Sequence, residues 1–129
     1  MIWMDNQTSD YIIAVDDDPR TIKIVEAYLG SSAQYKLKTF TSPIDALNFY
    51  KTNPDCRLII SDHCMPEMNG DDLREHIGYG VPWVTFSDKD YEELRHYVEK
   101  DNFVHKTNDG FKILAAKVKE TLENHLQTV

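Results

Sequence analysis

Five acids, a hydroxyl and a lysine fall in this sequence at the ends of short apolar runs. Asp16-Asp17-Asp18 closes Tyr11-Ile12-Ile13-Ala14-Val15, and Asp62 closes Leu58-Ile59-Ile60-Ser61. Ser87, followed by Asp88, closes the run from Val81, and Lys106 closes Phe103-Val104-His105. Carboxylates gathered in a partly dry site cannot all stay ionised without a counter-charge. A lysine supplies part of it, and a hard divalent cation is the stronger answer. Mg²⁺ prefers oxygen ligands, keeps several waters and commonly binds through one or two carboxylates plus a phosphate. A carboxylate beside Mg²⁺ and a lysine is placed to attack phosphorus, because both cations neutralise charge on the transferred group. The chemistry implied is phosphoryl transfer to an aspartate.

That chemistry requires elements that bring the run ends together. Tyr11 to Val15 is rich in β-branched residues and reads as a strand buried on both faces. Asp18-Pro19 opens a helix as cap and first residue; Ile22, Val25 and Leu29 recur at helical spacing, and Gly30 stops it. Tyr35 to Phe40 alternates as an outer strand. Ser42-Pro43 opens a second helix, with Ile44, Leu47 and Tyr50 predicted on its inner face. Arg57 to Ser61 is a second central strand, and 62–70 is a loop broken by Pro66 and Gly70. A helix is predicted near Asp71 to Ile77, a strand over Val81 to Ser87 and a helix over Asp90 to Lys100. That helix carries Tyr91, Leu94, Tyr97 and Val98 as its stripe. Phe103 to His105 is a short fifth strand, and a long helix from about Asp109 presents Phe111, Leu114, Ala115, Val118 and Leu122. Strands alternating with helices imply an α/β fold with a parallel sheet, helices on both faces and right-handed crossovers. Ligands of such folds bind beyond the carboxyl ends of the strands, where strand order reverses.

Composition bounds the rest. A chain of 129 residues, 41% apolar and 28% charged, is one domain of ordinary globular make-up. The formal net charge of −8 argues against a nucleic-acid surface and against docking on anionic membrane. No apolar run approaches the roughly 20 residues of a membrane span, and Met1-Ile2-Trp3-Met4 meets Asp5 too soon for a signal-peptide core. Cys56 and Cys64 form no CxxC pair and read as reduced thiols, so a cytoplasmic setting is expected.

The ordered stretches 12–19, 58–70, 81–87 and 103–106 resemble the receiver domain of two-component response regulators; Asp62-His63-Cys64-Met65-Pro66-Glu67-Met68-Asn69-Gly70 is the strongest match. The resemblance implies a flavodoxin-like, doubly wound (βα)5 fold with strand order 2-1-3-4-5, and a single receiver domain over 1–129 (core about 10–127) without an output domain. It implies Asp62 as phosphoacceptor, with Asp16, Asp17, Asp62 and the Cys64 backbone carbonyl holding Mg²⁺. Lys106 would pair with the carboxylates and then the phosphoryl oxygens. Ser87 would be the switch hydroxyl and Phe103 the switch aromatic. The implied function is that of a signalling receiver and no enzyme in the usual sense, catalysing only its own phosphorylation and dephosphorylation. Its implied partners are a histidine kinase or histidine phosphotransfer protein and a further protein target; receiver dimers are common, so a homodimer is among the expected assemblies.

Several readings compete. Asp18 is sufficiently explained as a helix cap. Thr85 rivals Ser87, lying two residues earlier on the same strand face. Phe103 serves equally well as a core aromatic. His63 beside Cys64 suggests a metal pair, but no second pair at zinc spacing follows; His76, His96, His105 and His125 read as surface or packing residues. A phosphohydrolase of the haloacid-dehalogenase type would need a longer chain, and Arg20 stands where Thr or Val is expected. A flavodoxin would need a Ser/Thr/Gly-rich phosphate loop after the first strand. A receiver-like interaction module independent of phosphorylation is the main alternative, because the sequence departs from the family pattern. Asp88 replaces the usual small residue and would narrow the entrance. Thr107 replaces the usual proline, so a trans bond is expected, since a cis bond before a non-proline costs about 2.5–4 kcal/mol. The segment from Ser87 to Lys106 is about three residues short, which predicts a short, charge-rich fourth helix. Cys64 and Lys89 occupy the variable positions expected to tune acyl-phosphate lifetime.

Overall fold

The computed structural model describes residues 10–127. The Met1–Asp5 stretch and the His125 side chain lie outside the described residues. Five strands, β1 (Tyr11–Val15), β2 (Lys36–Phe40), β3 (Cys56–Ser61), β4 (Trp83–Ser87) and β5 (Phe103–His105), alternate with α1 (Pro19–Leu29), α2 (Pro43–Thr52), α3 (Gly70–Ile77), α4 (Tyr91–Leu94) and α5 (Gly110–Gln127). All neighbouring strands pair in parallel, in the order β2-β1-β3-β4-β5. The expected flavodoxin-like topology is therefore observed.

Side-chain alternation along the central strands splits the core into two layers. Ile12, Ala14, Leu58, Ile60, Val84 and Phe86 meet Val25 and Leu29 of α1 and Leu114, Val118 and Leu122 of α5. Tyr11, Ile13, Val15, Ile59 and Trp83 meet Ala46 and Leu47 of α2 and Leu73 of α3. Because apolar side chains leave on both faces, β1 is buried throughout. At the sheet's border, β2 leaves Lys36 and Lys38 exposed. The expected caps form: Asp18 accepts from the Arg20 amide at 2.9 Å, and the Ser42 hydroxyl accepts from the Asp45 amide at 3.2 Å.

Two helices depart from the sequence reading. In α2 the buried face is Pro43, Ala46 and Leu47, while Ile44 is exposed. A shift of one position suits the small Ala46, which lets the helix approach the sheet closely. The span expected over Asp90 to Lys100 is not filled: the helix covers only Tyr91–Leu94, short and charge-rich as the shortened segment from Ser87 to Lys106 predicts, with a separate 3-10 turn at Lys100–Asn102. Of its stripe only Leu94 and Val98 are buried, and Tyr97 is exposed. Two buried residues cannot hold a longer helix against the cost of ordering it. At its start the Asp90 amide donates to Glu93 Oε1 at 3.1 Å, and the Glu93 amide donates to the Asp90 carbonyl at 3.0 Å. No helix among the described residues is long and apolar enough to cross a membrane.

Candidate functional site

The site lies where β1 and β3, neighbours in the sheet, send their chains into crossovers on opposite faces. The Asp62 amide donates to the Val15 carbonyl at 3.1 Å, and the Asp16 amide donates to the Phe40 carbonyl at the same distance. The ladder thus continues one residue past each strand and fixes the backbone of both acids. Asp16 and Asp62 are buried, while Asp17 is exposed. Carboxylate oxygens of Asp16, Asp17 and Asp62 lie within 4.8 Å of one another.

Lys106 arrives from the end of β5. Its amide donates to the Ser87 carbonyl at 2.8 Å, which ties the start of the last loop to β4. Its Nζ lies 2.5 Å from Asp16 Oδ2 and 3.3 Å from Asp62 Oδ2. The bond into Thr107 is trans, as expected, and the chain turns through Thr107 N–H to the His105 carbonyl at 2.9 Å. A trans bond is therefore compatible with Lys106 reaching both acids.

The electrostatics of this cluster leave room for another positive charge. Burial raises the Asp16 carboxyl above its ordinary value, and the hydrogen bond from Lys106 only partly offsets it. Burial pulls the Lys106 ammonium down, but Asp16 and Asp62 outweigh it and hold Lys106 above its ordinary value. One ammonium thus sits among more negative charge than it neutralises. Asp16 Oδ2 lies in a buried place with Lys106 Nζ as its contact, while Asp17 and Asp62 add their carboxylates to the same cluster. Oxygen-only donors, one acid open to solvent and three carboxylates against one ammonium fit Mg²⁺ and would suit a thiolate-seeking metal poorly.

Around Asp62 the backbone is tightly held. Its Oδ1 accepts from the His63 amide at 2.7 Å, and its carbonyl accepts from the Ser61 hydroxyl at 2.6 Å. A Cβ at Gly70 would sit 2.5 Å from that carbonyl oxygen, so only glycine allows the start of α3 to close over Asp62. The Gly70 amide completes the closure by donating to the His63 carbonyl at 2.7 Å. Between them, Glu67 takes a left-handed φ of 75° and accepts from the Ser42 hydroxyl at 2.9 Å.

The remaining expected residues are distributed as follows. Ser87 is fully buried at the carboxyl end of β4, and its Oγ accepts from the Lys89 amide at 3.1 Å. Thr85 pairs with Ser61 and Phe103, one rung inside the sheet, so it sits short of the edge that Ser87 occupies. Phe103 is half-buried and makes an edge contact with Tyr91 (5.7 Å between centroids). Asp88 is exposed, and its carbonyl oxygen meets His105 Nε2 at 3.0 Å. Cys64 is an exposed free thiol raised above its ordinary value by burial and by Asp62. Asp18 is held in capping α1 and pairing with Arg20 at 3.1 Å, which removes it from the cluster as the sequence suggests.

Sequence reasoning gave Gly70 only a breaker's role and His63 only a weak metal reading. His63 is instead buried, with Tyr97 against its ring (5.1 Å) and Asp71 Oδ1 at 3.7 Å from Nε2. The fixed offset of Gly70 from Asp62 was visible, but nothing local signals the Tyr97 contact.

Strand ends that converge acids and a lysine at a switch point define a class: a doubly wound α/β domain with an acidic cluster and a lysine at the carboxyl edge of its sheet. Residues 12–116 match the family model described as the response regulator receiver domain. The chain belongs to that family. It is 40% identical over 68 residues to the two-component response regulator ORR22 of Oryza sativa subsp. indica, covering 52% of this chain and 10% of that protein. It is 37% identical over 68 residues to ARR11 of Arabidopsis thaliana, covering 52% of this chain and 13% of that one. The matched stretch thus covers about a tenth of the length of these relatives. Among solved structures, the signal receiver domain of an HD domain-containing protein from Pseudomonas fluorescens Pf-5 superposes with a TM-score of 0.77 at 19% identity, over 92% of this chain and 98% of that one. The BeF3-activated DrrB receiver domain superposes with a TM-score of 0.74 at 26% identity, over 88% and 97%.

Proposed function

We propose that residues 10–127 act as one receiver unit in which Asp62 takes a phosphoryl group from a phosphohistidine of a histidine kinase or histidine phosphotransfer protein. The observation that carries this reading is Lys106 Nζ placed between Asp16 and Asp62. An Asp62 oxygen attacks phosphorus, the N–P bond breaks, and its electron pair returns to the imidazole of the donor. Lys106 leaves the carboxylate for a phosphoryl oxygen. Asp16, Asp17, Asp62 and the Cys64 backbone carbonyl are the residues that would hold Mg²⁺, which supplies charge neutralisation on the transferred group. Ser87 then donates its hydroxyl proton to a phosphoryl oxygen. Phe103 follows that movement and changes the surface offered to a protein target, either another protein or a second copy of the chain. Hydrolysis by water returns the carboxylate, so the chain turns over only its own modification. The free thiols Cys56 and Cys64 suit a cytoplasmic setting. Cys64 and Lys89 flank the site and set how readily water reaches the acyl phosphate.

Asp88 narrows the approach and repels an incoming phosphoryl group. Mg²⁺-dependent binding of beryllofluoride, followed by NMR, tests the central reading: the wild type responds and Asp62→Ala does not. In acetyl phosphate labelling, Asp88→Ala reacts faster than wild type. A wild type silent in both assays would leave a receiver-like interaction module that no longer uses phosphorylation, the reading that Asp88 favours.

A further inference from the structure

On the side of the molecule formed by the end of α3 and the segment from α4 to the 3-10 turn, a groove of about 760 Å³ opens. Its walls reverse the charge of the whole: Arg74, Arg95 and Lys100 line it against the single acid Glu99, in a chain of net charge −8. Its aromatic lining is three tyrosines, Tyr79, Tyr91 and Tyr97. Tyr79 and Tyr97 are 67% and 57% exposed, far more than packing aromatics usually are.

Arg74 is the centre of the arrangement. Its guanidinium lies 4.9 Å from the Tyr79 ring centroid and 5.7 Å from that of Trp83, so two aromatic faces hold its orientation. Its Nε is shielded from solvent yet has no hydrogen-bond partner. No carboxylate among the described residues lies within 4.0 Å of Arg74 or Lys100, whereas Arg95 shares Glu92 at 3.6 Å. Tyr79 is presented by a turn between Gly78, at φ 103°, and Gly80. A cation held against two aromatic rings and free of carboxylates, beside exposed tyrosine faces, matches a ligand that joins an anion to a flat ring. Phosphate takes the guanidinium and ammonium groups, and a base stacks on tyrosine. The volume lies within the range of small-molecule sites, roughly 300–1,000 Å³.

We propose that this groove binds a nucleotide, with Arg74 and Lys100 on its phosphate and Tyr79 on its base. It is separate from the acid cluster but not remote from it. Tyr97 of the groove wall packs on His63, whose amide holds Asp62 Oδ1.

Isothermal titration calorimetry in EDTA tests the proposal, because without divalent cations no phosphate is drawn to Asp16, Asp17 and Asp62. The probes are AMP, GMP, inorganic pyrophosphate, guanosine and a hexaglutamate peptide. At least one nucleotide is expected to bind, with pyrophosphate and guanosine each at least tenfold weaker. Arg74→Ala and Tyr79→Ala each weaken that binding about tenfold, the scale of one lost charge-assisted or stacking contact. Tyr79 is exposed, so its variant keeps the fold, and thermal melts verify this for both. Pyrophosphate binding as tightly as a nucleotide would overturn the proposal in favour of a simple anion patch. Hexaglutamate binding with nucleotides inert would replace it with a protein-docking surface. No binding by any probe would also overturn it. A wild type that fails to respond to beryllofluoride leaves this result untouched, since the titration requires no phosphorylation.

Discussion

Lys106 is asked to do two things that conflict. Its ammonium neutralises Asp16 and Asp62, so it competes for their oxygens with any added cation, yet a phosphoryl group needs both. Lys106→Gln separates the roles. Without the ammonium, buried carboxylates face each other unpaired, and breaking such a pair costs about 3–5 kcal/mol. The variant is expected to melt well below wild type in EDTA, to recover much of that loss on adding Mg²⁺, and to bind Mg²⁺ more tightly than wild type. Phosphorylation of Asp62 should nonetheless fall sharply. Weaker Mg²⁺ binding in the variant would contradict the competition argued here. These partners were legible in the sequence because each acid or base directly follows an apolar run, and parallel strands align such ends. His63 and Arg74 were not legible, since their partners Tyr97, Tyr79 and Trp83 come from packing that no local pattern encodes.

At the scale of elements, the loop from β3 to α3 shows how closely a helix start is fitted to Asp62. Gly70→Ala places a methyl 2.5 Å from the Asp62 carbonyl oxygen and 3.1 Å from His63 Cα, both backbone atoms that cannot rotate away. Overpacking of this kind costs about 1–3 kcal/mol. The variant should lose stability by that amount in urea denaturation, and Asp62 should accept phosphate more slowly because its backbone must shift. Unchanged labelling with lowered stability would show that α3 moves instead of Asp62. The strands and α5 were readable because apolar pattern and burial agree for them, α1 because its Asp18 cap agrees as well, and α3 because Gly78 stops it. Two readings failed where periodicity alone was the guide. Tyr91, Leu94, Tyr97 and Val98 keep helical spacing, but Tyr97 leaves the core to lie on His63. Ile44 looked like a core residue beside the smaller Ala46, yet close helix–sheet packing favours the small side chain.

For the whole molecule, stability should depend on alkaline pH through groups far from the acid cluster. Burial pushes the Cys56 thiol up to about 11 from an ordinary value of 9.0. Burial also raises the Tyr11 phenol. Both are neutral acids held in the folded chain, so their contribution is complete below the unfolded values. It is lost as pH rises, for Cys56 between about 9 and about 11. Thermal melts from pH 8 to 11 should show a falling Tm, with a shallower fall in Cys56→Ala. Equal slopes would remove Cys56 from the account. Thiol labelling below that window should reach the exposed Cys64 well before Cys56.

The open sheet also has two borders. At one, β2 shows Lys36 and Lys38 to solvent; at the other, β5 is three residues long. A neighbouring chain that tried to add a strand beside β2 would bring its own charges against lysines, and beside β5 it would find too few amides to pair with. Edge-to-edge growth into aggregates is therefore disfavoured at both borders, and concentrated solutions of the folded domain should resist fibril formation.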